Sequence, residues 1–359
     1  MPEDNKFSPT VRDQLALRAG HRCSFPDCPD TTVGPSSETN SSVSRSGMAC
    51  HIYAARGERP ARRINAKLSA EELRSIDNGI WMCFKHGKII DTDEATYTPE
   101  TLKWWKNIAE WRADFRHKFG EDIKIPLLSE KLGDFPKIKY ELTQDELDPM
   151  KIFDAFQDSC LAAVRGEELV GLVREVATEI VRNSFQHGKA TSVTLSIDID
   201  RVTILDNGVT FSPSALEKHI SPRGGAGALK QLVTGYLGQV VVDYREKGAS
   251  NITTFGFLRE SADVKKFTPC VLELESAGHD FVRAEAEHFF VANPNCETVY
   301  VLAQRGFSHS HVHQLSERLS AQNGRQVVVL GTGISKSLMD YMRDHLPGFS
   351  VASAKPTHG

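Results

Sequence analysis

The sequence predicts an α+β chain built from more than one domain. Three observations carry that expectation. Its 359 residues exceed the roughly 100–200 of a single domain. Four of the seven cysteines, Cys23, Cys28, Cys50 and Cys83, crowd one end of the chain, as in a small metal-stapled unit. From about residue 149 onward, helical and strand periodicities alternate. The composition, 25% charged and 40% hydrophobic, is that of a globular protein. No apolar run approaches the roughly 18 residues of a transmembrane helix, and the first residues lack a signal-peptide pattern. A cytoplasmic protein without a membrane partner is therefore expected. The odd cysteine count argues against a disulfide scaffold. The net charge of −4 leaves any nucleic-acid contact to a local basic patch.

The elements follow in order. A helix is predicted over residues 9–19, with Ser8 as N-cap and Gly20 as stop. Residues 29–48, rich in Ser, Thr, Pro and Gly, read as a loop. A short helix over 69–77 starts at Ser69, with Glu72 in the capping-box position. Leu102, Trp105, Ile108 and Phe115 give 98–117 a helical period, opened by Thr98 and Pro99. Pro126, Gly133 and Pro136 mark 118–148 as a linker. Helices over 149–164 and 167–187 precede strands 192–199 and 201–205, a helix from the glycines at 224–227 to about Leu237, and strands 239–245 and 251–258. The remainder alternates strands 270–275, 298–303, 326–331 and 349–352 with helices 281–290, 309–321 and 335–345, a small α/β unit. The expected domains are thus 1–117, 149–260 and 261–359, with the linker between the first two.

Cys23-x4-Cys28 and Cys83-x2-His86 are two close pairs of sulfur and nitrogen donors far apart in sequence. That is the tetrahedral donor set of structural zinc, which in a small domain supplies folding energy directly. Between and after the pairs lie Ala49-Cys50-His51-Ile52, Asp77-Asn78-Gly79-Ile80 and Lys88-Ile89-Ile90-Asp91. In this order the motifs resemble the HNH endonuclease family, over roughly residues 15–110. The resemblance implies a zinc-stapled ββα-metal fold. It implies that His51 is the general base activating water against a DNA phosphodiester, a role suited to an imidazole. It makes Asn78 the residue whose side chain orients that histidine, with Mg²⁺ or Mn²⁺ neutralising the phosphate. Two family metal ligands are absent from their places: Gly87 stands where a histidine is usual, and Cys50 where an aspartate is usual. Arg56, Arg59, Arg62, Arg63 and Lys67, opposed only by Glu58, form a basic run suited to DNA phosphates.

The central region carries a second set of motifs. Glu179 and Asn183 lie one helical turn apart. Asp206-Asn207-Gly208 follows a strand, Arg223-Gly224-Gly225-Ala226-Gly227 opens a helix, and Thr253 sits in a strand. Glycines at a helix start leave backbone amides for an anion, and a side-chain amide oxygen suits Mg²⁺. Their order resembles the GHKL ATPase family, which includes gyrase B subunits and histidine kinases, over about residues 150–260. The resemblance implies an α/β sandwich that binds ATP. In it Glu179 orients the hydrolytic water, Asn183 holds Mg²⁺, Asp206 accepts from the adenine amino group, Gly208 lets the base approach, Gly225 and Gly227 line the phosphates, and Thr253 helps hold the adenine.

Taken together, the resemblances imply an ATP-binding, ATP-regulated HNH nuclease that cleaves DNA, works as a homodimer or larger assembly, and serves in bacterial defence, with the C-terminal unit as a sensor-like module. The alternatives are a non-catalytic zinc- and nucleotide-binding regulator with a degenerate HNH domain, and an anti-sigma-type protein kinase.

Overall fold

The computed structural model describes residues 5–57, 61–121, 134–144, 149–210, 225–274, 288–303, 307–319, 325–331 and 333–354. It is mixed α/β and divides into two compact units: Met1–Lys137 with Gln157–Val164, and Ile138–Phe156 with Arg165–Gly359.

In the first unit, helix α1 (Pro9–Arg18) begins where the Ser8 side chain accepts from the Val11 N–H. Strands β1 (Val33–Pro35) and β2 (Val43–Arg45) pair antiparallel. Strands β3 (Gly47–His51) and β4 (Gly79–Cys83) form a second antiparallel pair, with His51 opposite Gly79 and Gly47 opposite Cys83. The connection between them holds α2 (Ala70–Arg74), capped by the Ser69–Glu72 box, and a 3₁₀ turn, Ile76–Asn78. Helix α3 (Phe84–Ile90) leaves β4 without a loop, and α4 (Pro99–Phe119) follows. Ile52, Ile80, Met82, Ile90, Leu102, Trp104 and Trp105 are fully buried. The indole N–H groups of Trp104 and Trp105 donate to the carbonyls of Ser159 and Asp158. These bonds tie the distant segment 157–164 into this unit.

Two sequence expectations change here. Residues 29–48, expected as a loop, contain β1, β2 and the start of β3. β2 is exposed throughout, so it carries no apolar alternation. Packing fixes its neighbourhood instead: the Trp81 indole donates to Thr32 and covers Gly47, where a Cβ would lie 2.5 Å from the ring. The second change is inside the expected linker. Ile138–Thr143 is strand β5, with Ile138 and Leu142 buried and Lys139 and Glu141 exposed. Its period of two is real but is hidden among flanking prolines and glycines.

In the second unit, β5 is the edge of a five-stranded antiparallel sheet of order β5-β6-β7-β9-β8, with β6 Ser192–Ile197, β7 Arg201–Asp206, β8 Val240–Lys247 and β9 Ser250–Phe257. Helices α7 (Glu167–Gln186) and α8 (Gly225–Gly235) and most of α5 (Pro149–Ser159) belong to this unit, while the end of α5 and nearly all of α6 (Leu161–Arg165) fall in the segment 157–164 of the first unit. α7 buries Val173, Val176, Ala177, Ile180 and Val181, an i, i+3, i+4 stripe.

A four-stranded parallel sheet follows in chain order, β10 (Val271–Leu274), β11 (Thr298–Ala303), β12 (Gln326–Gly331) and β13 (Phe349–Ala352), with α9 (His309–Leu319) and α10 (Lys336–His345). Val299, Val301, Val327 and Val329 pack with Val312, Leu315 and Met342 of the helices. Tyr300, Leu302, Val328 and Leu330 point the other way, onto Val241, Leu258, Val264 and Phe267. Burial on both faces explains the unbroken apolar runs of these strands. Of the helix expected over 281–290, residues 281–287 lie outside the described residues, and 288–292 are helical.

The expectation against a disulfide is also corrected. Cys270 and Cys296 are bonded, their Cα atoms 5.7 Å apart. Each precedes one of two neighbouring parallel strands, so the sheet brings them within bridging distance. Among the described residues no helix is long and apolar enough to cross a membrane.

Candidate functional site

Cys23, Cys28, Cys83 and His86 converge, with all four donor atoms within 4.8 Å of one another. Each pair is positioned by a tight local structure. The Cys28 N–H donates to the Phe25 carbonyl, closing the turn between the first two cysteines. Cys83 ends β4 and starts α3, which places His86 one turn along. The two halves meet where the Cys83 N–H donates to Cys23 Sγ at 3.3 Å.

His86 Nδ1 lies 3.2 Å from Cys83 Sγ and 3.5 Å from Cys23 Sγ. A tetrahedral zinc with ordinary bond lengths separates sulfur from nitrogen by about 3.5 Å, so the donor set fits a metal such as zinc in both chemistry and spacing. Phe25 stacks on the His86 ring at 4.0 Å and fixes its plane. Burial pushes the Cys23 and Cys28 thiols up, while burial and then Lys85 lower the pKa of His86. The imidazole is thereby kept neutral as a ligand, and metal uptake releases thiol protons.

His51 ends β3, opposite Gly79 at the start of β4. Its ring stacks on Phe7 at 3.9 Å, and Nε2 donates to the Asn5 carbonyl at 2.9 Å. That bond puts the proton on Nε2 and the lone pair on Nδ1. Burial lowers its pKa, against raising contributions from the Asn5 bond and Asp91, so a neutral base is available near pH 7. Asn78 works differently from expectation. Its Oδ1 accepts from the Tyr53 N–H, and its Nδ2 donates to the Tyr53 and Leu73 carbonyls. It clamps the chain after His51, whereas the ring itself is held by Asn5 and Phe7.

The basic run divides. Arg63 is a correction: it is buried, and its guanidinium donates to the carbonyls of Ile52, Ile90 and His51 and to Asp91. With its donors consumed inside the fold, it cannot reach a phosphate. Arg62 lies 3.8 Å from Glu94 at the surface. Arg56 and Lys67 are exposed, and Arg59 lies outside the described residues.

A Cβ at Gly87 would lie 2.7 Å from Met48 Sδ and 2.9 Å from Cys50 Sγ. Cys50 and Gly87 thus face each other, a buried thiol and a glycine whose missing side chain leaves the space to Met48 and Cys50 sulfur. Burial pushes the Cys50 thiol up, away from the thiolate form. Among the described residues the only cluster of metal-ligating side chains is the sulfur–nitrogen one. The donors do not fit a catalytic Mg²⁺ or Mn²⁺ at this position.

No family model matches the chain, and no curated protein matches it.

In the second unit, Asp206 and Asn251 are direct cross-strand partners, as are Ile204 and Thr253. Asp206 Oδ1 accepts from the Gly208 N–H and from Asn251 Nδ2, both at 2.9 Å. Asn251 also donates to the Gly208 carbonyl and accepts from the Tyr244 hydroxyl. Among the described residues Oδ2 of Asp206 has no such partner. Asn183 is buried on α7, and its side chain makes no hydrogen bond among the described residues. Glu179 pairs with Arg182 at 2.8 Å.

Two of the expected site glycines make close approaches within the fold. A Cβ at Gly208 would lie 2.8 Å from the Gly188 carbonyl, and one at Gly225 would lie 2.4 Å from Glu179 Cβ. They let α8 and the Asp206 turn pack against α7. Gly227 lies within α8, and residues 211–224, including Gly224, lie outside the described residues.

Asn251 and Asn5 escaped the sequence reading. Asn251 has a signal there, because strands 201–205 and 251–258 place it opposite Asp206 once they pair; Asn5 acts through a backbone carbonyl, which no side-chain motif reports.

Proposed function

We propose that this chain is a nucleotide-binding, zinc-stapled protein that uses an HNH-like domain to bind nucleic acid without cutting it. The facing pair Cys50 and Gly87 carries the choice between binding and cutting. Phosphodiester hydrolysis in the HNH family draws on a hard divalent ion beside the base, and here that place is packed with Met48 and Cys50 sulfur. The zinc ligands Cys23, Cys28, Cys83 and His86 keep a structural role, holding the turn after α1 to the junction of β4 and α3.

The second unit supports an adenine-nucleotide site of GHKL type. Asp206 Oδ2 is the acceptor for an exocyclic amine. Asn183 is the oxygen ligand for the Mg²⁺ that accompanies ATP, and that ion supplies charge neutralisation of the phosphates. Thr253 lies on the same face as Asp206, two residues from Asn251. The Glu179–Arg182 ion pair leaves the carboxylate partly engaged, so ATP is sensed more readily than it is turned over.

Two measurements test the reading. ATP with Mg²⁺ raises the melting temperature, as any ligand of the folded state does, and Asp206→Asn abolishes the rise for ATP. An equal rise with GTP, or an undiminished one in Asp206→Asn, removes the adenine assignment. Duplex DNA is retarded in a gel by the zinc-loaded protein, and plasmid stays intact with Mg²⁺ or Mn²⁺, with or without ATP. Plasmid cleavage that is lost in His51→Ala would reinstate the nuclease.

A further inference from the structure

The cleft beside the parallel sheet is a separate place for a small molecule. It has a volume of about 500 Å³, within the range of ligand sites. It opens beyond the carboxyl ends of β12 and β13, the side on which open α/β sheets bind their ligands. Gly331 ends β12, Ser353 and Ala354 follow β13, and both sides contribute to its walls.

The cleft is held open by a fixed floor. Ser261, 3% exposed, donates its hydroxyl to the Gly331 carbonyl and accepts from the Ala354 N–H. One buried hydroxyl therefore joins the ends of both strands to the segment after β9. Gly333, at φ 65°, turns the chain from β12 into α10 without placing a side chain in the mouth.

The lining selects a ligand class. Three cations reach the cleft from two chain segments: Arg259, and Lys336 with Arg343 on one face of α10. Against them stand Glu260, whose side chain accepts from the Asp263 N–H, and Asp340, which holds Arg343 at 2.6 Å. Lys336 has no ion-pair partner among the described residues. Ile334 and Met339 add an apolar wall. A cationic rim beside an apolar wall suits a compact anion carried on an organic body.

We infer that this cleft binds a small organic phosphate, with Lys336 and Arg259 gripping the phosphoryl group and Ile334 and Met339 facing the organic part. The inference does not rest on the nucleotide reading of Asp206.

The test is calorimetric titration of the full chain with AMP and with inorganic pyrophosphate, carried out in Asp206→Asn so that the first nucleotide site is silent. A single saturable site is expected for at least one of the two probes. Combined Arg259→Glu and Lys336→Glu weakens it about tenfold or more, the loss of charge-assisted hydrogen bonds. Lys336→Ala weakens it less, and Lys247→Glu, on the far hairpin, leaves it unchanged. Both cations are exposed, so the variants keep their fold, checked by circular dichroism. No saturable binding of either probe up to millimolar concentration overturns the proposal. So does binding that survives the double reversal, or that falls equally in Lys247→Glu.

Discussion

The β3–β4–α3 region and the parallel sheet β10–β13 are both small, yet they are held together by different forces. β11 and β12 are buried on both faces, and the side chains of each alternate between two apolar clusters. Their stability comes from apolar area removed from water. β3 and β4 are five residues each; β4 buries Ile80 and Met82, but β3 has only Cys50 fully inside. To that smaller apolar area point contacts are added: the sulfur–nitrogen cluster, the Arg63 guanidinium and the Asn78 carboxamide. A region held by area loses stability gradually as side chains are trimmed. A region held by points fails when one point is removed.

Metal removal is the sharpest way to break that comparison. Apparent metal-binding energies of structural zinc sites are on the order of 10 kcal/mol. Chelation or Cys83→Ser therefore melts the first unit and leaves the second unit's transition in place. Calorimetry with metal analysis checks it: about one zinc per chain is expected in the wild type. A zinc-free protein with an intact first transition removes the point-contact account.

Arg63 comes next. Its guanidinium satisfies three buried carbonyls and Asp91, and removing it leaves acceptors unpaired in the interior. Arg63→Ala costs about 3 kcal/mol. Arg62→Ala, which breaks a surface pair with Glu94, costs well under about 1 kcal/mol. Denaturant titration of the two variants separates the neighbours. Equal effects would return Arg63 to the surface role its charge suggests.

These two arginines also mark how far the sequence could be read. Donor type and spacing made the sulfur–nitrogen cluster legible as a possible metal site, because four such donors in two pairs have few other uses. Periodicity made the strands 192–197, 298–303 and 326–331 legible, because burial of one or both faces writes itself into residue choice. Arg63 was misread because a run of basic residues reports charge, not direction, and its turn into the interior follows from a left-handed backbone (φ 54°). Strand β2 left no trace because its side chains are all exposed, and the Asp206–Asn251 pair became visible only through register.

Gly87 gives a smaller effect that bears on function as well. Gly87→Ala forces a Cβ against Met48 and Cys50, an overpacking worth about 2 kcal/mol. Gly87→His, which would offer a metal a ring nitrogen at this place, costs at least as much and, on the proposed binding role, creates no cutting on its own. Thermal melts and plasmid assays of both variants check this. Cleavage appearing in Gly87→His would mean that β3 can retreat to admit a metal, and that the silent state is one substitution deep.

The smallest expected effect compares one helix cap from each region. Ser69 caps α2 in a closed box: its hydroxyl accepts from the Glu72 N–H, and Glu72 returns a carboxylate to the Ser69 N–H at 2.8 Å. Ser335 caps α10 by accepting from the Leu338 N–H, and with leucine at that position no box can close. Removing either hydroxyl costs about 1 kcal/mol, so the two changes are matched in size and differ in place. Ser69→Ala should lower only the zinc-dependent transition, and Ser335→Ala only the zinc-independent one. Because α2 lies in the connection between β3 and β4, the Ser69 effect should vanish once zinc is chelated and that region is already unfolded. The Ser335 effect should be the same with and without chelator. A Ser69→Ala shift that persists in the metal-free protein would mean that the β3–β4 connection folds without its metal, and the contrast between a region held by points and one held by area would no longer stand.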